Sequence, residues 1–518
     1  MIPSLAEEKI VHTTYQDELV KVTKETGIGG STIVLNVLLS YINTVLATRV
    51  VGAEAFGVFF LANQIVFTAL HVSTLGLGQG VMRHVSLYDG QRDYARVKGA
   101  MVFCLKRALL ASIVVSLVIF ALSPLFADKI FDKPELRMAL RVLVVAVPFW
   151  AIMEIVATSL QGLRRIAPAT LLRNFLQPFS RLLLLTILFL LGYKLAGLLW
   201  GTALSMVASA GFAIYLLRKN TKSFWEKVQP IFENREIQKF SMPLYFDTIL
   251  NFVIASLPLY ILGYYWTYIE VGVYGVALRL ALLVGLPLAA LNQVFAPTIS
   301  NLYGRGDKQA LSLLFKTVTK WVFTASLAVS LVMVLFARPL LSIFGSNFVV
   351  GAGPLAVIVM GELVNASVGS VGYMLSMTGR PLVNLINSIV SAVLMTGLGL
   401  ILIPKHGLLG AALTACLSVS IVNIVRMVEV YYFEKIHPYN DKYIKPLIAA
   451  ATAIAGVFGL RLLLPGDNLL ATVLGILTFG LIFVGSFLWL RIEDEDRLIL
   501  RLVSRKLNFF RMGTASEF

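Results

Sequence analysis

EAFGVF at Glu54–Phe59 and EVGVYG at Glu270–Gly275 each open a long apolar stretch, and each such stretch stands second in a run of six. Sliding the chain against itself by about 215 residues brings further marks into register. Ser86-Leu87-Tyr88 falls on Asn301-Leu302-Tyr303, and Gly and Asp follow each within a few residues. FALSPL from Phe120 falls on FARPLL from Phe336, and LQGLRR from Leu160 on LSMTGR from Leu375, with Pro168 and Pro381 close behind. GLLWG from Gly197 echoes GLLG from Gly407, with some slippage. Single matches between apolar helices mean little. Five in order at a near-constant offset mark a duplicated six-helix unit. Six is even, so both copies enter a membrane from the same side, as a parallel repeat about an axis along the membrane normal.

Of the 518 residues, 58% are hydrophobic and only 14% charged, and the mean hydropathy is +0.82. Soluble domains carry about 25% charged residues, and an apolar excess of this size cannot all be folded into a core. Soluble, disordered and disulfide-rich secreted classes are excluded. Cys104 and Cys416 lie inside apolar runs and read as buried structural thiols. Residues 1–26 are polar and of mixed charge with no apolar core, so the first hydrophobic helix is expected to direct insertion.

A membrane helix needs about 20 apolar residues. Suitable stretches fall near 28–50, 56–80, 99–123, 138–160, 166–191, 196–217, 240–263, 271–297, 311–336, 352–377, 382–403, 408–430, 446–464 and 469–490. None alternates like a barrel strand. The expected fold is an all-α polytopic membrane protein of fourteen transmembrane helices. It comprises a tail (1–26), a six-helix N-lobe (27–217), a linker (218–239), a six-helix C-lobe (240–435), two extra helices (436–490) and a second tail (491–518). Loop charge orients it. With the N-terminus inside, the inner loops hold 18 Lys and Arg and the outer loops 6, so positive-inside makes both termini cytoplasmic. The net charge of +16 is therefore a topological signal and not a nucleic-acid footprint.

The EAFGVF/EVGVYG openings, the Tyr-…-Gly-…-Asp loops and the Thr378-Gly379-Arg380 turn resemble the multidrug/oligosaccharidyl-lipid/polysaccharide (MOP) exporter superfamily, over residues 24–435. Within it the chain looks most like the polysaccharide-type, Wzx-like flippases. The resemblance implies two six-helix lobes around a central cavity and transport of a polyprenyl-pyrophosphate-linked glycan at the plasma (inner) membrane. The protein would act as a monomer among membrane lipids, beside a polysaccharide polymerase. No cofactor is implied beyond a coupling H⁺ or Na⁺. It also implies that spans 1, 2, 7 and 8 line the cavity. The lipid II flippases carry arginines on spans 1, 2 and 8, where span 2 of this chain offers Asn63, Gln64 and His71.

A charge at mid-bilayer costs about 2.5–3.5 kcal/mol on insertion scales, so such residues face a cavity or a partner. Lys106, Arg107, Arg141, Lys316, Lys320 and Arg461 sit near enough to helix ends to snorkel. Arg49, Arg173, Arg181, Arg279 and Arg426 do not. The planar guanidinium suits bidentate contact with a pyrophosphate, which makes Arg49, Arg173, Arg181 and Arg279 candidate substrate groups. The plainer alternative is that each pairs with an acid or a carbonyl, as Arg426 is expected to do with Glu429 one turn along. Asp247, Glu154 and Glu362 are candidates for ion coupling. Their alternatives are a salt bridge to an arginine for Asp247 and helix packing for the two glutamates. Asn63, Gln64, Asn251 and Asn292 would offer hydrogen bonds to sugar hydroxyls, or would simply join helices. Two rival functions remain. One is a multidrug or cation antiporter of the same superfamily, whose cationic substrates an arginine-bearing cavity would repel. The other is a membrane glycosyltransferase or polymerase, which needs an acidic cluster; the dense one, Glu493–Asp496, reads as a solvated helix end.

Overall fold

The computed structural model describes the backbone of residues 5–226, 228–463 and 468–490. Side chains are described from Val34 onward, with Asp247 and Asn251 among the few exceptions. The acidic cluster Glu493–Asp496 and the second tail lie outside the described residues. The first half of the chain runs α1 (Leu5–Thr74), α2 (Leu77–Gly90), α3 (Tyr94–Pro124), α4 (Glu135–Leu143), α5 (Ala146–Gly162), α6 (Ile166–Leu171), α7 (Gln177–Leu190) and α8 (Leu195–Trp225). The second half runs α9 (Asn234–Tyr265), α10 (Tyr268–Gly304), α11 (Lys308–Leu335), α12 (Ala337–Ser342), α13 (Ala352–Val368), α14 (Val371–Met377) and α15 (Pro381–Glu434). Helices α16 (Ile444–Leu463) and α17 (Leu469–Trp489) follow, and no strand occurs among the described residues.

Eleven of these helical stretches are long and apolar enough to cross a membrane. The expectation of fourteen divides them more finely. Helix α1 leaves helical geometry at Gly52 (φ 79°, ψ 176°) and α15 at Gly407 (φ 53°, ψ −124°), so each consists of two helical segments end to end. The π-helical turn Leu172–Leu176 joins α6 to α7 in one run over 166–190. On α3, Leu110, Ile113, Val114 and Leu117 are all exposed. Apolar side chains at this helical spacing belong against lipid, not water. Helices α16 and α17 pack outside the repeat, where Val457, Phe479 and Phe483 meet Phe336 and Leu327.

Two of the five repeat marks turn out to be helix caps and closures. Asp93 and Asp307 N-cap α3 and α11, each Oδ1 accepting from the third amide on, Arg96 N at 3.0 Å and Ala310 N at 2.9 Å. The preceding helices close alike, with Asp93 N donating to Tyr88 O at 2.9 Å and Asp307 N to Leu302 O at 3.1 Å. Arg165 N on Leu160 O (2.8 Å) and Arg380 N on Leu375 O (2.9 Å) repeat that closure further along. It requires a left-handed residue. In the second half this is Gly306 (φ 74°) or Gly379 (φ 86°), and in the first half Arg92 (φ 59°) or Arg164 (φ 57°). A Cβ at Gly306 or Gly379 would meet nothing within 4 Å, so only backbone strain opposes it. Gly306→Ala and Gly379→Ala are each expected to destabilise by about 1 kcal/mol, read as a lowered Tm in detergent. Arg92→Gly and Arg164→Gly should be neutral or stabilising in the same assay.

Within 218–239, α8 continues to Trp225 and α9 begins at Asn234. The segment between is strapped to the start of α3. Ile231 N donates to Ala95 O at 3.1 Å, and Lys98 Nζ to Val228 O at 2.9 Å. Arg96 pairs with Glu233 at 2.7 Å. Glu233 also accepts from the Tyr88 hydroxyl, and burial together with that carboxylate pushes the Tyr88 pKa up. This defines a linker end of the bundle and, opposite it, a far end.

Candidate functional site

Helices α1 and α10 cross where the two hexapeptides meet. A Cβ built on Gly57 would lie 1.8 Å from Tyr268 O, and one on Gly272 would lie 2.5 Å from Ala53 O. The two glycines thus bring backbone onto backbone across the seam between the halves. Two cations of the first half reach across the same seam to carbonyls of the second. Arg49 donates through Nε and Nη2 to Ile343 O and Ser342 O, both at 2.7 Å. Lys133 Nζ donates to Gly263 O at 2.7 Å and also to Trp266 O. Burial pushes the Lys133 pKa down, and nearby Glu270 pushes it back up.

Less than one turn beyond Gly57, Phe59 and Phe60 each carry a guanidinium. The Cζ of Arg181 lies 5.4 Å from the Phe59 centroid, and that of Arg279 lies 5.5 Å from the Phe60 centroid. The two charges are close enough to act on one another. Arg279 Nη1 donates to Thr44 Oγ1, while Tyr41 donates to the Arg279 carbonyl. Arg181 Nε is buried without a hydrogen-bond partner. Among the described residues, neither arginine forms an ion pair with an acid. Two uncompensated like charges in an apolar setting are expensive unless an anion joins them.

The other expected site residues go elsewhere. Arg173 is held by Glu154, with Nη2 on Oε1 at 2.5 Å and Nε on Oε2 at 3.2 Å, and its Nη1 donates to Gln161 at 3.2 Å. One candidate substrate cation is thereby matched with one candidate coupling acid. The π-helical turn carrying Arg173 aims it there, and such turns are frequent at functional sites. The side chains are 26% and 34% exposed. Glu154→Gln should therefore lower stability by about 1 kcal/mol, and adding Arg173→Gln should recover most of it in a double-mutant cycle. Gln64 donates to Ser256 Oγ at 2.7 Å, and Ser370 donates to Asn292. Asn63 is half-buried and makes no hydrogen bond among the described residues. His71 Nδ1 meets Phe67 O at 2.8 Å. The side chains of Asp247 and Asn251 lie outside the described ones.

Glu362 lines a cavity of about 430 Å³ formed mainly by the second half, with Ser388, Ser391, Cys416 and Arg426, and closed on one side by Gln64 of α1. Arg426 does not form the expected close ion pair with Glu429. Its Nη2 lies 3.5 Å from Ser388 Oγ, and Glu429 accepts from Asn387 instead. A second cavity, about 620 Å³ and almost wholly apolar, lies between α1, α10, α11 and α17, with Val34, Leu286, Pro287, Val332, Phe479 and Phe483 in its wall.

A family model described as "Polysaccharide biosynthesis protein" matches residues 22–303, more than half of the chain. The chain belongs to the polysaccharide biosynthesis protein family. A second model, MatE, matches residues 243–401. The capsular polysaccharide biosynthesis protein CapF of Staphylococcus aureus is 26% identical over 255 residues, which are 48% of this chain and 63% of that relative. The chain thus aligns with less than two thirds of that relative's length. The fold of the lipid II flippase MurJ in an inward closed conformation superposes with a TM-score of 0.69 at 14% identity, covering 89% of this chain and 98% of that one. An inward-facing MATE multidrug transporter gives 0.66 at 19% identity, over 77% and 94%. With eleven long apolar helices among the described residues the chain is a multi-pass membrane protein, and it shares the fold of the MATE and MurJ structures, as the resemblance implied. Sequence reading missed Thr44, Tyr41, Phe59 and Phe60 around the arginines. The signal available was their helical spacing on span 1 and the start of span 2, opposite the span that carries Arg279.

Proposed function

We propose that this chain flips an oligosaccharide linked to a polyprenyl pyrophosphate from the cytoplasmic to the outer leaflet of the plasma (inner) membrane by alternating access. The linker end is cytoplasmic in this reading, and the chain crosses the membrane fourteen times. The observation that carries it is the pair Arg181 and Arg279, which lie against Phe59 and Phe60 with no acid between them among the described residues. A diphosphate is the anion whose oxygens two planar guanidiniums can grip bidentately. The rings below them make the site rigid and dry, and a dry site strengthens each charge-assisted bond. The lipid tail stays in the bilayer along the apolar groove between α10, α11 and α17. A proton, a sodium ion or the membrane potential supplies the energy, with Glu362 as the carboxylate that takes the ion. Glu154 and Asp247 remain open as coupling groups.

The match to MatE models favours one rival, export of cationic compounds. Like-charge repulsion at Arg181 and Arg279 works against it. Liposomes containing the purified protein and a fluorescent lipid-pyrophosphate sugar test both readings. Flipping, without ion-driven uptake of a cationic dye, is the expected result. Dye transport without flipping would replace the flippase with an antiporter.

A further inference from the structure

At the linker end a third cavity of about 450 Å³ opens between the halves, away from the arginine pair. Arg107 of α3 stands on one side and Arg235, Gln238 and Lys239 of α9 on the other, with Leu75 and Leu77 between. Ser241 also lines it, its Oγ buried without a hydrogen-bond partner and tight against Gly80. Among the described residues no acid lines the wall. None of the three cations forms an ion pair among the described residues. Of the nearby acids, Glu233 is taken by Arg96 and Tyr88, and Glu236 lies outside the wall.

The level of this cavity is fixed by where exposed side chains change character. On α3, Lys106 and Arg107 are exposed and the lipid-facing series begins at Leu110. On α9, Arg235 and Lys239 are exposed and the apolar series begins at Met242 and Phe246. Both helices therefore pass from basic to apolar at the cavity itself, which is where phospholipid headgroups lie. The span containing α3 has 37 residues, about 55 Å of helix against about 30 Å of hydrocarbon, so its first turns must project beyond the bilayer. Basic pockets between membrane helices at this depth suit lipid phosphates.

We propose that this cavity is a phosphate site for a phospholipid headgroup, in which Arg107, Arg235 and Lys239 hold the anion and Gln238 offers a hydrogen bond. The site draws on both halves of the chain, so an occupant tethers α3 to α9. It is separate from the Arg181–Arg279 pair and does not depend on what that pair binds. The full chain would be reconstituted in phosphatidylcholine nanodiscs with added phosphatidylglycerol, released into mild detergent, and its retained lipids counted by native mass spectrometry. Phosphatidylglycerol should be retained about tenfold over phosphatidylcholine. Arg107→Gln/Arg235→Gln/Lys239→Gln should abolish that preference. Gln238→Glu, which keeps the packing and adds one negative charge to the wall, should weaken it by about tenfold. Inorganic phosphate added alone separates the sources. If it displaces the lipid, a free phosphate suffices as ligand; if it does not, the site requires the lipid. Equal retention of the two lipids, or a preference unmoved in both variants, overturns the proposal.

Discussion

Arg279→Ala is expected to lower flipping of a lipid-pyrophosphate sugar by about one to two orders of magnitude, since each charge-assisted hydrogen bond lost is worth about 1.5–3 kcal/mol. The substitution is clean in an unusual way. Tyr41 donates to the Arg279 carbonyl and not to its side chain, so this tie between α1 and α10 survives in the variant. The side-chain losses are the hydrogen bond to Thr44 and the contact with Phe60. Arg279→Lys keeps a point charge but gives up the fork, and should fall between wild type and alanine. Arg181→Ala should resemble Arg279→Ala. The double variant should lose little more than either single one, because a diphosphate held by one arginine is already held badly. Flipping indifferent to both substitutions would leave the transporter but remove its site.

The fold was legible because its punctuation is local chemistry. Asp93 and Asp307 cap helices through amides three residues away, and Arg164 and Gly379 close them through bonds five residues back. Such marks survive in a sequence whose apolar stretches otherwise look alike. The site was legible only in part. That Arg279 and Arg181 meet no acid among the described residues depends on which helices face each other, and so does the pairing of Arg173 with Glu154. Arg49 illustrates the limit. Its position near the end of the first span said that it needed a partner, but the carbonyls of Ser342 and Ile343 are more than 290 residues away in sequence. Nothing in a periodicity reports a contact of that range. The number of helices was blurred for a local reason, since the breaks at Gly52 and Gly407 interrupt helices without separating them by a loop.

Gly57→Val is expected to cut flipping by about a hundredfold while leaving the protein folded. The far-end seam closes at Gly57 and Gly272, where a single Cβ on Gly57 would stand 1.8 Å from a backbone oxygen. A flexible side chain can move aside, but the Tyr268 carbonyl belongs to the first turn of α10 and cannot yield without moving the helix. Overpacking of this kind costs about 1–3 kcal/mol. In an alternating-access cycle the cost falls only on the arrangement in which the seam is shut. A bias near the top of that range shifts the balance between two arrangements by about a hundredfold. The arms that cross the seam, Arg49 to Ser342 and Ile343 and Lys133 to Gly263 and Trp266, hold it shut in the wild type and would be stretched in the variant. Ala53→Cys supplies the reporter, because Ala53 is buried in this seam beside Gly272. A membrane-impermeant maleimide should label it slowly in the wild type and rapidly with Gly57→Val. Gly57→Ala should lie between the two, and an unchanged Tm would separate an opened seam from a damaged fold. Wild-type flipping together with slow labelling in Gly57→Val would mean that the α1–α10 crossing is a fixed pivot and not a gate.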